Sequence, residues 1–418
     1  MRYFFLLVII LSSLMAHTQP VMKDYPESFT VAVSNPLTVS RDNVLVLVSA
    51  EQVHKNLKKF NPHAFVVMDG EKEIPSQYNH DDADNSGIAF VLDGLAASET
   101  RQLSIRFHPS AKMPRSYPKR TQAELSYKQG GEWKNREYMG GAFQNTQFLR
   151  VPPEHKDHSW FIRYEGPGWE SDKVGYRFYL DQRNATDVFG KVTREMVLQN
   201  VGLDGFDSYH EMQPWGMDVM KVGKSLGIGS IGSLVNGEAI RVEDTDSINC
   251  RVTENGDLYS SIVTNYYGWN VSDKKHDVHS RIAIHAGTRA TQQKLTITNN
   301  IANLATGIVK DKAAVLLKKN GDAGHYGYIA TYGKQSLNTD NLGLAVFFNP
   351  NDLVEITEDT NSHVVKLKPS QGKLTYYFLS AWEKEPDGIK DQKQFENYLE
   401  KVALELANPV KVVLSTKK

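Results

Sequence analysis

The chain has 418 residues, a formal net charge of −1 and one cysteine, Cys250. Balanced, interspersed charge excludes the basic footprint of a nucleic-acid binder. A lone cysteine allows neither an intramolecular disulfide nor a cysteine-based metal cluster.

Arg2 precedes the apolar run Tyr3 to Leu11, and the small residues Ser12, Ser13 and Ala16 follow. This is the pattern of a secretory signal peptide, residues 1–18, with Gln19 first after the cut. The run falls short of the roughly 20 apolar residues that span a bilayer. With no cysteine near the cut, no lipid anchor is expected. The product should therefore be exported, to the periplasm or beyond, without a membrane anchor.

Beyond the leader, short strands separated by turns dominate. Val44 to Val48 is a continuous apolar run of the kind buried on both faces. Ala64 to Met68, Ile88 to Leu92, Leu103 to Phe107, Arg281 to His285, Leu295 to Thr298, Leu342 to Phe348 and Leu374 to Leu379 are further strands. Asp69-Gly70, Asn255-Gly256 and Asn320-Gly321 mark turns between them. Strands so spaced, without alternating helices, predict antiparallel sheets packed as sandwiches. One long helix is expected, because Phe395, Tyr398, Leu399, Val402, Ala403 and Leu406 make a single apolar stripe that Pro409 terminates. Pro109, Pro114 and Pro118 mark a connector, dividing a small N-terminal sandwich (19–115) from a larger catalytic domain with the C-terminal helix (116–418).

Two stretches carry the chemistry. In the first, Trp160 to Lys191, the residues Arg177, Tyr179, Asp181 and Arg183 alternate with Tyr176, Phe178, Leu180 and Gln182 and would share one strand face. Arginine forks suit a carboxylate or sulfate held by two bonds at once. Arg163 and Glu165 alternate similarly on a preceding strand, with Trp169 following. The same pattern also suits a solvated face laced with salt bridges. In the second stretch, Tyr209 to Gly232, His210, Trp215, Asp218 and Lys221 lie close together among glycines. His210 is the natural acid/base group, since its ordinary pKa is near neutrality. A lone histidine is more often structural, and only these neighbours raise its standing.

Other patterns are weaker. Nineteen tyrosines and six tryptophans could stack on sugar rings but could equally fill a β core. Asp82, Asp84, Ser86 and Gly87 begin like a calcium loop, yet Asp93 stands where a glutamate is needed. Gly223-Lys224-Ser225-Leu226-Gly227 matches a serine-hydrolase pattern but lacks a suitable helix after Ser225.

Trp160–Lys191, Tyr209–Gly232 with its Trp215-Gly216-Met217-Asp218 block, and the C-terminal Tyr376-Tyr377-Phe378 with Trp382 and the closing helix resemble an exported family encoded in bacterial polysaccharide-degradation gene clusters. One branch of that family contains an ulvan oligosaccharide dehydratase, which turns a terminal glucuronic or iduronic acid into a 4,5-unsaturated uronate. The resemblance implies an acidic oligosaccharide substrate, with sulfate an option, and a carbon–oxygen lyase activity. It carries over no catalytic residue.

The chemistry itself assigns the roles. Removing water across C4 and C5 of a uronate needs a cation on the carboxylate, a base for the C5 proton and an acid for the leaving hydroxyl. Arg177 and Arg163 are the expected carboxylate partners and His210 the base. Tyr179 or Lys221 would deliver the proton, with Asp218 orienting His210 or Lys221. Glu165, Trp169, Arg183 and Trp215 complete the candidate substrate-binding set. No cofactor is required, although a divalent metal could replace the arginines. A polysaccharide lyase, a hydrolase using Glu165, Asp181 or Asp218, and a non-catalytic glycan binder remain open.

Overall fold

The computed structural model describes residues 21–415; the expected signal peptide lies outside them. Strand accounts for 51 % of the described residues and helix for 10 %, so the protein is mostly β, as its turn-punctuated sequence predicts.

The N-terminal part packs a five-stranded sheet against a three-stranded one. Phe29, Val31, Val46, Val48, Phe90 and Ile105 fill the space between them. Strand Arg41–Ser49 turns Val44, Val46 and Val48 into this core, while Leu45 and Leu47 lie half-buried against Tyr259 and Ala283 of the next layer. Both faces of the run are therefore covered. The first sheet takes its edge strand, Lys411–Ser415, from the far end of the chain, where it pairs antiparallel with Glu27–Ser34.

The larger part is built on a nine-stranded antiparallel sheet. One face meets two five-stranded sheets over an apolar core that includes Trp169, Tyr176, Phe178, Trp269, Phe378 and Trp382. The opposite face receives the only long helix among the described residues, Gln392–Ala407. Its apolar stripe, Phe395, Leu399 and Ala403, seats on Tyr328, Tyr332, Phe347 and Leu379. Asp391 caps the helix by accepting the Gln394 N–H, which satisfies one of the unpaired first-turn donors.

Candidate active site

The candidate site lies on the outer face of one five-stranded sheet, whose order is Gly216–Asp218, Thr186–Lys191, Val174–Phe178, Gly168–Ser171, Thr121–Glu124. Register decides which side chains meet there. Arg177 pairs with Asp187 and Gly168, Gly168 pairs with Glu124, and Phe189 pairs with Asp218. Opposed residues share a face and alternate residues return to it. Glu124, Arg177, Asp187, Phe189 and Asp218 therefore point outward, while Tyr176, Phe178 and Val188 point into the core. The outward face is roofed by the segment between the strands ending at Lys191 and beginning at Gly216. Val197, Leu198, Val201 and Tyr209 from this segment pack on Phe189 and Tyr164. Glu170 fastens the roof, accepting the N–H groups of Val197 and Leu198 at 2.8 and 2.9 Å and pairing with the buried Lys191 at 2.5 Å.

Arg177 is the hub. Its guanidinium, 2 % exposed, donates to Asp218 at 2.7 Å, Asp187 at 2.8 Å and the Tyr209 hydroxyl at 2.9 Å. Tyr179 donates its hydroxyl to the same Asp187 oxygen at 2.6 Å. Burial, then the adjacent Asp187 carboxylate, push the Asp218 pKa well above its ordinary value, and Arg177 only partly offsets them. Asp218 therefore retains a proton where free aspartate would not.

His210 stands at the edge of this centre with its side chain 43 % exposed. Its Nδ1 lies 2.6 Å from the Phe206 carbonyl. A carbonyl can only accept, so Nδ1 carries the proton and Nε2 presents a lone pair. That Nε2 is 3.5 Å from Asp218 Oδ2. Burial and then Arg177 pull the His210 pKa below its ordinary value, with the Phe206 carbonyl acting in the opposite direction. With Nδ1 protonated and Nε2 presenting its lone pair, His210 can take up a proton and pass it on.

Arg183 extends the network. Its guanidinium lies 4.0 Å from the Tyr179 ring centroid and forms ion pairs with Asp181, with Glu165 at 2.6 Å and with Asp157 at 2.7 Å. Burial alone would raise the Glu165 pKa, but Arg177 and Arg183 outweigh it and hold the carboxyl below its ordinary value. Asp157, His158 and Glu165 bring their ligand atoms within 4.8 Å of one another. A divalent ion would fit there only with Arg183 moved aside, because the guanidinium already supplies the positive charge between two of the three.

Several expectations change in three dimensions. Arg177 and Arg163 were expected to grip a substrate carboxylate, yet both are 2 % exposed and committed inside the protein, Arg163 to Glu124 and to the Gln199 carbonyl. Residues Arg163–Glu165 form a 3₁₀ turn rather than a strand, and the strand carrying Arg177 ends at Phe178. Trp169 is core, 1 % exposed, its indole N–H donating to Thr291 at 2.8 Å. Tyr179 is 6 % exposed and points its hydroxyl inward. Trp215 is half-buried against Phe189 and borders a depression of about 340 Å³ with Tyr209 and Leu203. Lys221 is exposed and forms no ion pair among the described residues. Asp82 is consumed by Arg281, and Ser225 donates to the Val222 carbonyl at 2.6 Å. Sequence reasoning missed Asp187, Tyr209 and Phe206. The available signal was Asp187, an acidic residue in an otherwise buried strand next to Val188 and Phe189.

Fold and site together define an antiparallel multi-sheet protein with a buried arginine–carboxylate centre beneath a solvent-facing histidine. The chain belongs to the family described as a domain of unknown function, DUF4861, which residues 33–412 match. No curated protein matches its sequence. Among solved structures it is similar to an α-mannosidase from Enterococcus faecalis V583, at 9 % identity and a TM-score of 0.49, covering 94 % of this chain and 46 % of that one. It is also similar to a protein of glycosyl hydrolase family 38 from Enterococcus faecalis, at 9 % identity and a TM-score of 0.45, covering 94 % and 48 %. The chain thus spans about half the length of either protein.

Proposed function

We propose that this protein is an exported hydro-lyase that removes water from a terminal uronic acid of acidic oligosaccharides of the ulvan type, leaving a 4,5-unsaturated uronate. The observation that supports this reading is His210, a part-exposed imidazole whose Nδ1 is tied to the Phe206 carbonyl and whose Nε2 stands 3.5 Å from Asp218. In the reaction His210 Nε2 takes the C5 proton. The C5–H electron pair becomes the C4–C5 double bond, and the C4–O bond breaks. The imidazolium then returns the proton to the departing hydroxyl, so one histidine serves both steps on one face of the ring. Lys221, three residues after Asp218, and the part-exposed Arg183 are the cations left to meet the substrate carboxylate. Arg177 acts instead by holding Asp218 and Asp187 in place.

A hydrolase is less well supported, since its two carboxyls should face each other across a cleft about 5–10 Å wide. Asp187 and Asp218 instead both accept from one nitrogen of Arg177 beneath the surface. The test is incubation of the pure protein with uronate-ended oligosaccharides, following 4,5-ene absorbance and product mass. A product lighter by one water with a new absorbance supports dehydration. The same absorbance with chain cleavage indicates a lyase, and cleavage without absorbance a hydrolase.

A further inference from the structure

Beside the site stands an aromatic hairpin that the proposed reaction does not use. Strands Ser126–Lys134 and Glu137–Asn145 pair only with each other as a sheet. An isolated two-stranded hairpin is marginal in water and needs packing to persist. Here Tyr127, Trp133 and Tyr138 close around Phe161 with ring centroids 5.0–5.3 Å apart. They tie the hairpin to the segment that carries His158 and Glu165.

That segment is held in an uncommon conformation. His158, Trp160, Tyr164 and Glu165 all have positive φ, at 58°, 52°, 37° and 71°. Such a conformation is uncommon for a non-glycine residue and persists only where surrounding contacts impose it. The conformation sets the Trp160 ring against Lys128, whose Nζ lies 3.2 Å from the ring centroid and 5.5 Å from that of Phe143. It also places the His158 ring against Phe206, at 5.1 Å, and the Phe206 carbonyl in turn holds His210.

Lys128 is 6 % exposed, yet among the described residues its ammonium has no hydrogen bond and no ion pair. Burial lowers its pKa from the ordinary value, and the exposed Glu137 only partly opposes this. The Trp160 indole N–H is buried without an acceptor. Two half-buried aromatic rings flanking an unpaired ammonium suit a sugar ring, whose apolar C–H face would stack while an acidic substituent meets the charge.

We infer that Lys128, Trp160 and Phe143 form a subsite for a pyranose bearing an anionic group, a carboxylate or a sulfate ester, in the oligosaccharide that His210 acts upon. This rests on the proposed function for the identity of the ligand, but its test is one of binding. Calorimetry on the full-length His210→Ala protein would compare three oligosaccharides sharing one backbone: neutral, sulfated and uronate-bearing. At least one charged probe should bind roughly ten-fold more tightly than the neutral one, the gain expected of a single charge-assisted hydrogen bond. Which probe does so identifies the anion. Lys128→Met and Lys128→Gln should both erase that preference while leaving neutral-probe affinity unchanged, and Lys128→Arg should retain it. Undiminished preference in whichever neutralised variant folds, or no preference in the His210→Ala background, overturns the subsite. Dehydration by the wild type alongside an absent charge preference overturns the subsite alone. A Lys128-dependent preference in a protein that never dehydrates overturns the proposed reaction alone.

Discussion

The His210 imidazole and the Asp218 carboxyl face each other at 3.5 Å, Nε2 to Oδ2, and only the histidine reaches solvent. The Phe206 carbonyl fixes the tautomer, while Arg177 and Asp187 fix the carboxyl. A proton taken at Nε2 therefore arrives beside a carboxyl held in place by Arg177 and Asp187, which makes this pair the point where substitution should separate catalysis from binding.

His210→Ala is expected to lower the rate of unsaturated-product formation by about 10²–10⁴, the usual contribution of a general base. Oligosaccharide affinity should persist in calorimetry. Wild-type activity should fall as pH drops through the His210 pKa, which lies below 6.5, because only neutral imidazole accepts the C5 proton. A near-active mutant would transfer the base role to Lys221.

Arg177→Lys should reduce stability and turnover together. The ammonium keeps the charge but cannot serve Asp187, Asp218 and Tyr209 from one planar fork. Arg177→Met, which leaves buried carboxyls without their counter-charge, should cost roughly 3–5 kcal/mol in denaturant unfolding. An unchanged melting temperature in both variants would contradict the hub assignment.

Phe178→Ala probes the opposite face of the same strand. The ring is 7 % exposed and lies 5.9 Å from Trp169. Its removal should cost about 3–5 kcal/mol of stability. In the fraction that remains folded, turnover per molecule should match the wild type.

His285 supplies a pH dependence of stability away from the candidate site. Burial lowers its pKa to about 4, against an ordinary 6.5. Between those values the unfolded chain binds a proton that the folded chain does not, so stability should decline as pH falls from about 6.5 to about 4. The loss totals at most about 3 kcal/mol. His285→Gln should flatten this slope in thermal unfolding measured across the same range.

The antiparallel β class, the helix Gln392–Ala407 and the inward face of Phe178 follow from periodicity alone, because period-2 and period-3.6 burial are local properties of the chain. The clustering of Arg177, Tyr179, Asp181 and Arg183 was also visible as alternation, although the strand ends at Phe178 and a turn carries the last two. Closeness of His210 to Asp218 could be anticipated from eight residues of separation, but not their protonation states.

What tertiary structure decided is which of these charges reach solvent. Asp187 joins Arg177 through strand register, and Tyr209 and Phe206 come down on them as part of a roof held by Glu170. Alternation assigns a side chain to a face but cannot say whether that face is covered. Arg177 and Trp169 therefore read equally well as ligand-binding or interior residues until the segment between Lys191 and Gly216 and the nine-stranded sheet are in place. Cover depends on contacts between residues far apart in the chain, and no local pattern encodes it.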